Sequence, residues 1–289
     1  MQRVSIATAL ATSRPIIGMV HLLPLPGSPR RAGAMESVVQ RAIEDATTLG
    51  AAGFDAVLIE NFGDSPFFGS RVPAETIAAL AAVIAQLRPA IRLPFGVNVL
   101  RNDARAALAI AAATGASFIR VNVHTGAMLT DQGWIGGRAH TTLRMRARLD
   151  LQCAILADIG VKHALPPVGH DVRAEARDAW HRGLADALII SGEATGAAPD
   201  PERFRRVRSA VPDAPLFAGS GVTPDNVAMM RSLGDGIIVG SAVQADGVAG
   251  SAVVAARARA FIECARDPRG EGVRAPDPAF DGTSPSSAS

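Results

Sequence analysis

The sequence predicts an α/β protein built as a single (β/α)8 barrel, or TIM barrel. Eight short and almost continuously apolar runs alternate with amphipathic segments, and each apolar run ends in polar residues or glycine. Parallel strands that are buried on both faces have this pattern. Eight strand–helix units in roughly 270 residues match the usual size of such a barrel. A doubly wound open sheet, the structural alternative, would more often have fewer strands and a Gly-x-Gly-x-x-Gly motif after the first strand, which is absent.

The predicted elements alternate along the chain. Strands are expected at residues 15–21, 54–60, 94–100, 117–124, 153–158, 185–191, 215–220 and 235–240. Helices are expected at residues 35–51, 73–88, 103–114, 138–149, 172–182, 200–210, 224–233 and 252–265. Asp200 before Pro201 and Thr223 before Pro224 are typical helix starts, with a capping side chain before proline at the first helical position. We expect residues 1–14 to form an N-terminal extension, residues 15–266 the barrel with long loops, and residues 267–289, rich in Pro, Gly, Ser and Asp, a disordered tail.

The composition narrows the class of protein. A hydrophobic content of 48% supports a large core, and a net charge of +2 with scattered basic residues gives no footprint for nucleic acid. No signal peptide and no apolar run long enough to cross a bilayer is recognisable. Cys153 and Cys264 match no metal or redox spacing, which favours a reducing cytoplasm. We expect a cytoplasmic protein with a small-molecule ligand and no cofactor; a homo-oligomer, or a partner protein bound through the loops, stays open.

Polar side chains stand where the predicted strands end, which is where barrel enzymes carry their chemistry. The catalytic candidates are Glu60, Asp64, Asp158 and Lys162. The substrate-binding candidates are His21, Asn61, Asn98, Arg101, Asn122, His124 and His163. The two-residue period of a strand also places Arg120 on the same face as Asn122 and His124. Polar ends on six strands favour a common site, because burying such groups unpaired would cost several kcal/mol.

Lys162 is the only lysine among the 29 basic residues; all the others are arginine. A position that keeps lysine in such a chain can require an ammonium group that loses a proton or acts as a nucleophile. We therefore predict that Asp158 and Lys162 form an acid/base or electrostatic pair. Three alternatives stay open: a lysine that is there by chance, a Schiff base at Lys162, and a divalent metal held by histidines and carboxylates, although no His-x-His spacing supports the metal.

Glycine and serine follow the last two predicted strands. Gly219, Ser220 and Gly221 end the seventh strand, and Gly240 and Ser241 end the eighth. In many barrels, backbone N–H groups at this place and a neighbouring helix start bind a phosphate group. The alternative is a pair of tight turns that need glycine. We predict a phosphorylated ligand.

Three loops at the same end of the predicted barrel are long, at residues 22–34, 61–71 and 125–137. The second contains Phe62, Phe67 and Phe68. Loops of this kind serve either as lids that exclude water or as surfaces that dock a partner, and both interpretations stay open.

Several motifs resemble those of the BtpA/SgcQ family. The most specific is the run Glu-Asn-Phe-Gly-Asp-x-Pro-Phe at residues 60–67. Further motifs extend the resemblance, which spans residues 13–265; they lie at residues 17–22, 25–29, 96–103, 118–122, 130–133, 158–164, 219–223 and 239–241. Gly160 departs from the pattern, since a second apolar residue is expected there before the lysine.

The resemblance implies a TIM-barrel fold and two directions for the function. The family takes its name from a cyanobacterial member in photosystem I biogenesis, and other members are similar to sugar-operon proteins with a nucleosidase designation. We expect an enzyme, a nucleosidase, lyase or isomerase, that acts on a phosphorylated sugar or nucleoside-type metabolite by acid/base catalysis. The alternative is a non-catalytic assembly factor for a membrane complex, which holds its partner with the phenylalanines at the barrel mouth.

Overall fold

The predicted barrel is confirmed. A computed structural model describes residues 3–192 and 199–267, so the predicted tail beyond Asp267 lies outside the described residues. The strands are β1 (Ile16–His21), β2 (Ala56–Glu60), β3 (Phe95–Asn98), β4 (Phe118–Val121), β5 (Ala127–Thr130), β6 (Gly133–Gly136), β7 (Ala154–Ile159), β8 (Ala187–Ile190), β9 (Leu216–Ala218) and β10 (Gly236–Val239). Eight of them pair in parallel and close into a barrel in the order β1-β2-β3-β4-β7-β8-β9-β10.

Helices cover the outside of the barrel. They are α1 (Ile6–Leu10), α2 (Met35–Ala52), α3 (Ala74–Leu87), α4 (Ala104–Thr114), α5 (Ala139–Arg148), α6 (Val172–Arg177), α7 (Pro201–Ala210), α8 (Val227–Leu233) and α9 (Ala255–Arg266). A π-helical turn, Asp178–Arg182, continues α6. Asp200 caps α7 as predicted, because its side chain accepts a hydrogen bond from the Glu202 N–H.

The predicted start of α8 is wrong. The Thr223 N–H donates to Asn226 Oδ1 at 2.9 Å, and Asn226 Nδ2 donates to the Gly221 carbonyl at 2.9 Å. This side-chain-stabilised turn occupies the residues after Gly221, so the helix begins one turn later, at Val227.

A β-hairpin lies inside the third long loop, where the sequence indicated only a loop. β5 and β6 pair antiparallel across a two-residue turn. Met128 and Ile135 are buried, whereas Leu129 and Trp134 on the opposite face are exposed. Leu129 also pairs with Leu165, which ties the hairpin to the loop after β7.

Alternate strand residues fill the barrel interior. The inner cluster contains Ile17, Met19, Ala56, Leu58, Phe118, Ala154, Leu156, Ala187, Ile189, Phe217 and Ile238. Their neighbours in sequence, such as Ile155 and Ala157, point outward into the core beneath the helices. On each strand the next inward-facing position, two residues beyond the last inward-facing apolar one, lies at the carboxyl end of the barrel. We name the residues at these positions the polar ring: His21, Glu60, Asn98, Arg120, Asp158, Ser191, Gly219 and Gly240.

Helix α1 covers the amino-terminal end of the barrel. Its Ile6 and Leu10 are buried and belong to the inner cluster. Asp186 holds the segment in place, since its carboxylate accepts hydrogen bonds from the N–H groups of Val4 and Ile155, each at 2.7 Å. The segment predicted as an N-terminal extension thus contributes side chains to the barrel interior.

Candidate functional site

Three polar-ring side chains stand in register on neighbouring strands. His21 on β1 pairs with Glu60 on β2, and Glu60 pairs with Asn98 on β3. All three are buried. Asn98 Nδ2 donates a hydrogen bond of 2.6 Å to Glu60 Oε2. The other carboxylate oxygen, Oε1, lies 3.8 Å from His21 Nε2. Strand register thus brings together one carboxylate, one amide and one imidazole that the sequence had predicted separately.

His21 has fixed neighbours on its other side. Its Nδ1 atom lies 3.0 Å from Gln244 Nε2 and 3.1 Å from the Gly250 N–H. The ring stacks on Phe62 with centroids 4.4 Å apart. Burial lowers the pKa of the His21 imidazole below its ordinary value, although the Glu60 carboxylate opposes this change. His21 is therefore neutral at neutral pH.

Asp158 is the centre of a second cluster on the opposite part of the polar ring. Arg120 binds both of its oxygens, with Nε at 3.0 Å from Oδ2 and Nη2 at 2.9 Å from Oδ1. Asn122 Nδ2 donates to Oδ2 at 2.7 Å, and Ser191 Oγ lies 3.5 Å from Oδ1. These donors, two of them from a charged guanidinium, fix the position and orientation of the carboxylate. The geometry favours an anchoring role for Asp158 over the acid/base role predicted for it.

Lys162 reaches the polar ring from the loop after β7. The residue is half-buried, and its ammonium group makes no hydrogen bond or ion pair with any residue that the structure describes. Burial and then Arg120 lower the pKa of Lys162 below its ordinary value, while Glu60 and Asp158 act in the opposite direction. The backbone carbonyl of Lys162 accepts a hydrogen bond of 2.6 Å from Arg101 Nη2, which fixes the loop.

Gly160 shapes the turn that carries Lys162. Its φ of +57° lies in the left-handed region, which favours glycine. A Cβ atom at this position would clash with the Arg203 guanidinium, which donates to the carbonyls of Ile159 and Gly160 at 2.8 and 2.9 Å. The Gly160 N–H donates to the Glu175 carboxylate at 3.0 Å. The departure from the family pattern at this position therefore has a local structural reason.

Asn61 and Asp64 connect loops and do not join the polar ring. Asn61 Oδ1 accepts from the Leu100 N–H at 2.8 Å, and Asn61 Nδ2 donates to Asp64 Oδ2 at 3.0 Å. Asp64 Oδ1 accepts from the Leu25 N–H at 2.8 Å. Burial raises the pKa of Asp64 above its ordinary value. The contacts of both side chains indicate that they hold the first two long loops against the end of β3.

The two remaining histidine candidates also lie away from the ring. His124 is buried and its Nε2 is 2.8 Å from the Gly183 carbonyl, at the end of the π-helical turn. His163 is exposed on the loop after β7 and has a φ of +55°. The two-residue period grouped His124 with Arg120, but β4 ends at Val121, so the period no longer applies at residue 124.

The residues predicted to bind phosphate lie beside the two clusters. A Cβ atom on Gly219 would come within 2.8 Å of Ser191 Oγ, and one on Gly240 would come within 3.3 Å of His21 Cε1. Gly221 has a φ of +64°, while Ser220 and Ser241 each lie two residues beyond the end of their strand. Because α8 begins at Val227 and has seven residues, no helix start adjoins Gly221, contrary to expectation.

Two side chains that contact the candidate site are absent from the predicted set. Arg120 is not among the predicted candidates, although the two-residue period from the inward-facing Phe118 identifies it as inward-facing too. Gln244 gave no signal, because it is a single glutamine in a loop after the last strand; the structure buries it completely beside His21.

The surroundings of the site are also defined. A cavity of about 860 Å³ lies between the hairpin, the loop after β7 and α7; His163 lines it, and its described lining includes no member of the polar ring. Among the described residues, no three His, Cys, Asp or Glu side chains come together as metal ligands. No helix in the described ranges combines the length and apolarity needed to cross a bilayer.

Comparison with known proteins gives the family. The family model described as "BtpA family" matches residues 12–267. Photosystem I biogenesis protein BtpA of Synechocystis sp. (strain PCC 6803) is 45% identical over 252 residues, which are 87% of this chain and 88% of that protein. SgcQ, an sgc region protein of Escherichia coli K12, is 35% identical, with 88% and 95% covered.

Among solved structures, (S)-3-O-geranylgeranylglyceryl phosphate synthase from Thermoplasma acidophilum, in complex with sn-glycerol-1-phosphate, superposes with a TM-score of 0.56. It is 15% identical, and the match covers 91% of this chain and 98% of that one, so this likeness shows the fold alone. The family match spans the whole barrel, including the residues of the polar ring. The chain therefore belongs to the BtpA family.

Proposed function

We propose that the protein is an enzyme that acts on a phosphorylated sugar or nucleoside-type metabolite by acid/base catalysis in the polar ring. The observation that carries this proposal is the Lys162 ammonium, which lies half-buried among Glu60, Asp158 and Arg120 without a hydrogen-bond partner among the described residues. An unpaired ammonium with a lowered pKa gives up its proton more readily than an ordinary lysine and can act as an acid or a base.

Glu60 is the second half of the proposed acid/base pair. Asn98 holds one of its oxygens, whereas Oε1 accepts no hydrogen bond from the described residues and faces the ring interior. In this proposal Glu60 removes a proton from the substrate, and Lys162 delivers a proton to the oxygen on which negative charge develops. The Arg120–Asp158 ion pair lies beside them and keeps its two charges in fixed positions. The Asn122 Oδ1 atom, which has no hydrogen-bond partner among the described residues, accepts a hydrogen bond from a substrate hydroxyl group.

We assign the phosphate of the substrate to the part of the polar ring that contains Gly219 and Gly240. Gly219 and Gly240 leave two adjacent strands without a ring side chain, and the Gly221 N–H makes no backbone hydrogen bond to the described residues. The barrel of similar fold in complex with sn-glycerol-1-phosphate supports testing phosphorylated compounds first. Crystals soaked in phosphate or sulfate are expected to show density near Gly221 or Ser241, and empty density there would count against this assignment.

Two experiments test the enzyme proposal. The first is a thermal-shift screen of sugar phosphates and nucleosides. A ligand at about 100 times its dissociation constant adds roughly 2.7 kcal/mol to the free energy of unfolding. That is a Tm rise of roughly 5–10 °C for a domain of this size. Uniformly null shifts would remove the basis for a small-molecule substrate.

The second experiment uses the single lysine. Lysine-labelled protein gives one side-chain ammonium signal, whose titration by NMR reports the pKa of Lys162. The exposed Arg148→Lys variant supplies an ordinary lysine in the same molecule as a control. Lys162 is expected to titrate below the added lysine. With a substrate from the screen, Lys162→Arg is expected to lower turnover by about 10²–10⁴-fold. An unchanged turnover would eliminate proton transfer by Lys162.

A specific observation favours a second candidate function, that of a non-catalytic assembly factor. A relative with 45% identity carries the name Photosystem I biogenesis protein. Phe68, Trp134 and Leu165 are exposed on loops at the carboxyl end of the barrel, by 56, 63 and 67%. Under this alternative, Trp134→Ser abolishes co-purification of a membrane complex, and no metabolite raises the Tm.

A further inference from the structure

The protonation state of His21 follows from its neighbours. The Gly250 N–H points at Nδ1 from 3.1 Å. A backbone N–H group can only donate, so Nδ1 must be the acceptor and carries no proton. The neutral ring then holds its proton on Nε2, the atom that faces Glu60 Oε1.

Gln244 shares this donor with His21 and agrees with the same assignment. Its Oε1 atom accepts from the Gly250 N–H at 3.2 Å, which fixes the orientation of the amide and turns Nε2 toward the imidazole. Gly250 has a φ of +91°, and a Cβ atom there would come within 3.1 Å of the Phe62 ring that stacks on His21. The loop after β10 thus sets both the plane and the tautomer of the imidazole.

The space between His21 and Glu60 fits one kind of group. Nε2 and Oε1 are 3.8 Å apart, which is longer than a hydrogen bond. Nε2–H is a donor and Oε1 is an acceptor, so an oxygen that bridges them must accept from one and donate to the other. A hydroxyl group does both, whereas a carbonyl or a phosphate ester oxygen cannot donate.

We propose that Gln244 and Gly250 are positioning residues that hold His21 as the neutral Nε2–H tautomer, so that His21 and Glu60 together bind one hydroxyl group of the substrate. This inference rests on the proposed function, in which Glu60 is the base. His21 donates to the hydroxyl oxygen, the O–H bond breaks, the hydroxyl proton passes to Glu60 Oε1, and the bonding electron pair stays on the oxygen, whose negative charge the Nε2–H group continues to stabilise. His21 keeps its own proton throughout. The lowered pKa of His21 agrees with a ring that stays neutral.

The test is NMR of histidine-¹⁵N-labelled full-length protein, with the His21 signals assigned from a His21→Asn variant. The expected result is a pyrrole-type nitrogen at Nε2 and a pyridine-type nitrogen at Nδ1 in the wild-type protein at neutral pH. A proton on Nδ1, or an average of two tautomers, would overturn the proposal, because His21 and Glu60 would then both be acceptors toward the same hydroxyl group.

A charge-adding variant tests the role of Gln244. Glutamate at this position only accepts, so Gln244→Glu is expected to draw a proton onto Nδ1 and to raise the titration midpoint of His21 by about one pH unit or more. Gln86→Glu, on the exposed face of α3, adds the same charge elsewhere and is expected to leave the midpoint unchanged. Equal midpoints for the two variants would exclude Gln244 as the positioning residue. The other charged groups that act on this ring are Glu60, Lys162 and Arg120, and both variants retain them.

These measurements need no substrate. If no compound raises the Tm and His21 still shows the expected tautomer, the enzyme proposal is refuted and the role of Gln244 stands. If a compound raises the Tm but the His21 proton lies on Nδ1, only the role of Gln244 is refuted. Because Gln244 is fully buried, the Tm of each variant is measured alongside, and the wild-type spectrum remains decisive if a variant does not fold.

Discussion

The Arg120–Asp158 pair allows a quantitative prediction about what holds the polar ring together. Asp158→Asn removes the negative charge that neutralises Arg120 and places an N–H donor against a guanidinium. Arg120 is 4% exposed, so it would be left as an unpaired charge inside the barrel. Removing one partner of a buried ion pair typically costs about 3–5 kcal/mol. At roughly 2–4 °C per kcal/mol, the Tm should fall by about 10 °C.

The assay is urea unfolding followed by circular dichroism. The matched control is Glu202→Gln, which breaks an ion pair whose two side chains are both 61% exposed and should cost less than about 1 kcal/mol. The double variant Asp158→Leu with Arg120→Met should be more stable than Asp158→Asn, because it removes both charges. A loss below about 1 kcal/mol for Asp158→Asn, similar to the control, would refute the anchoring role.

Two further predictions concern stability. Burial depresses the folded-state pKa of His21, so its contribution to stability is present above the unfolded pKa of about 6.5 and is lost as the pH falls from that value through the folded-state pKa, because the unfolded chain binds the proton more readily. The free energy of unfolding is measured in urea at pH 7.5 and pH 5.5. His21→Asn should lose less stability between these pH values than the wild type, whereas the exposed His140→Asn should lose as much as the wild type. Equal losses for the two variants would contradict the prediction. Gly160→Ala should cost about 1–3 kcal/mol, through positive φ and the clash with Arg203. Gly126 also has a positive φ, but a Cβ atom there would meet open space, so Gly126→Ala should lower the free energy of unfolding by less. An equal loss for the two variants would mean that backbone strain alone, without the clash with Arg203, causes the effect.

The sequence sufficed to predict the barrel, because buried parallel strands and their helices leave periodic patterns in a single chain. The eight strands lie where the apolar runs are, and the two-residue period even specifies which polar residues face inward. Glu60, Asn98 and His21 were identified for this reason.

Contacts that depend on the register between strands could not be predicted in the same way. Whether Arg120 binds Asp158 or a substrate depends on the offset between β4 and β7, which no local pattern encodes. The bonds that divert Asn61 and Asp64 toward neighbouring loops depend on how those loops pack. Gln244 lies 223 residues away from His21 in the chain, and only the closure of the barrel brings the two together.

The position of α1 has a consequence for kinetics. Since Ile6 and Leu10 block one opening of the barrel, a small molecule can reach the ring and leave it only through the opposite opening. If the protein catalyses the proposed reaction, substrate and product must use the same passage in turn. For a reaction with one substrate, product inhibition should accordingly be competitive, and the departure of the product should set an upper limit on the rate of repeated cycles.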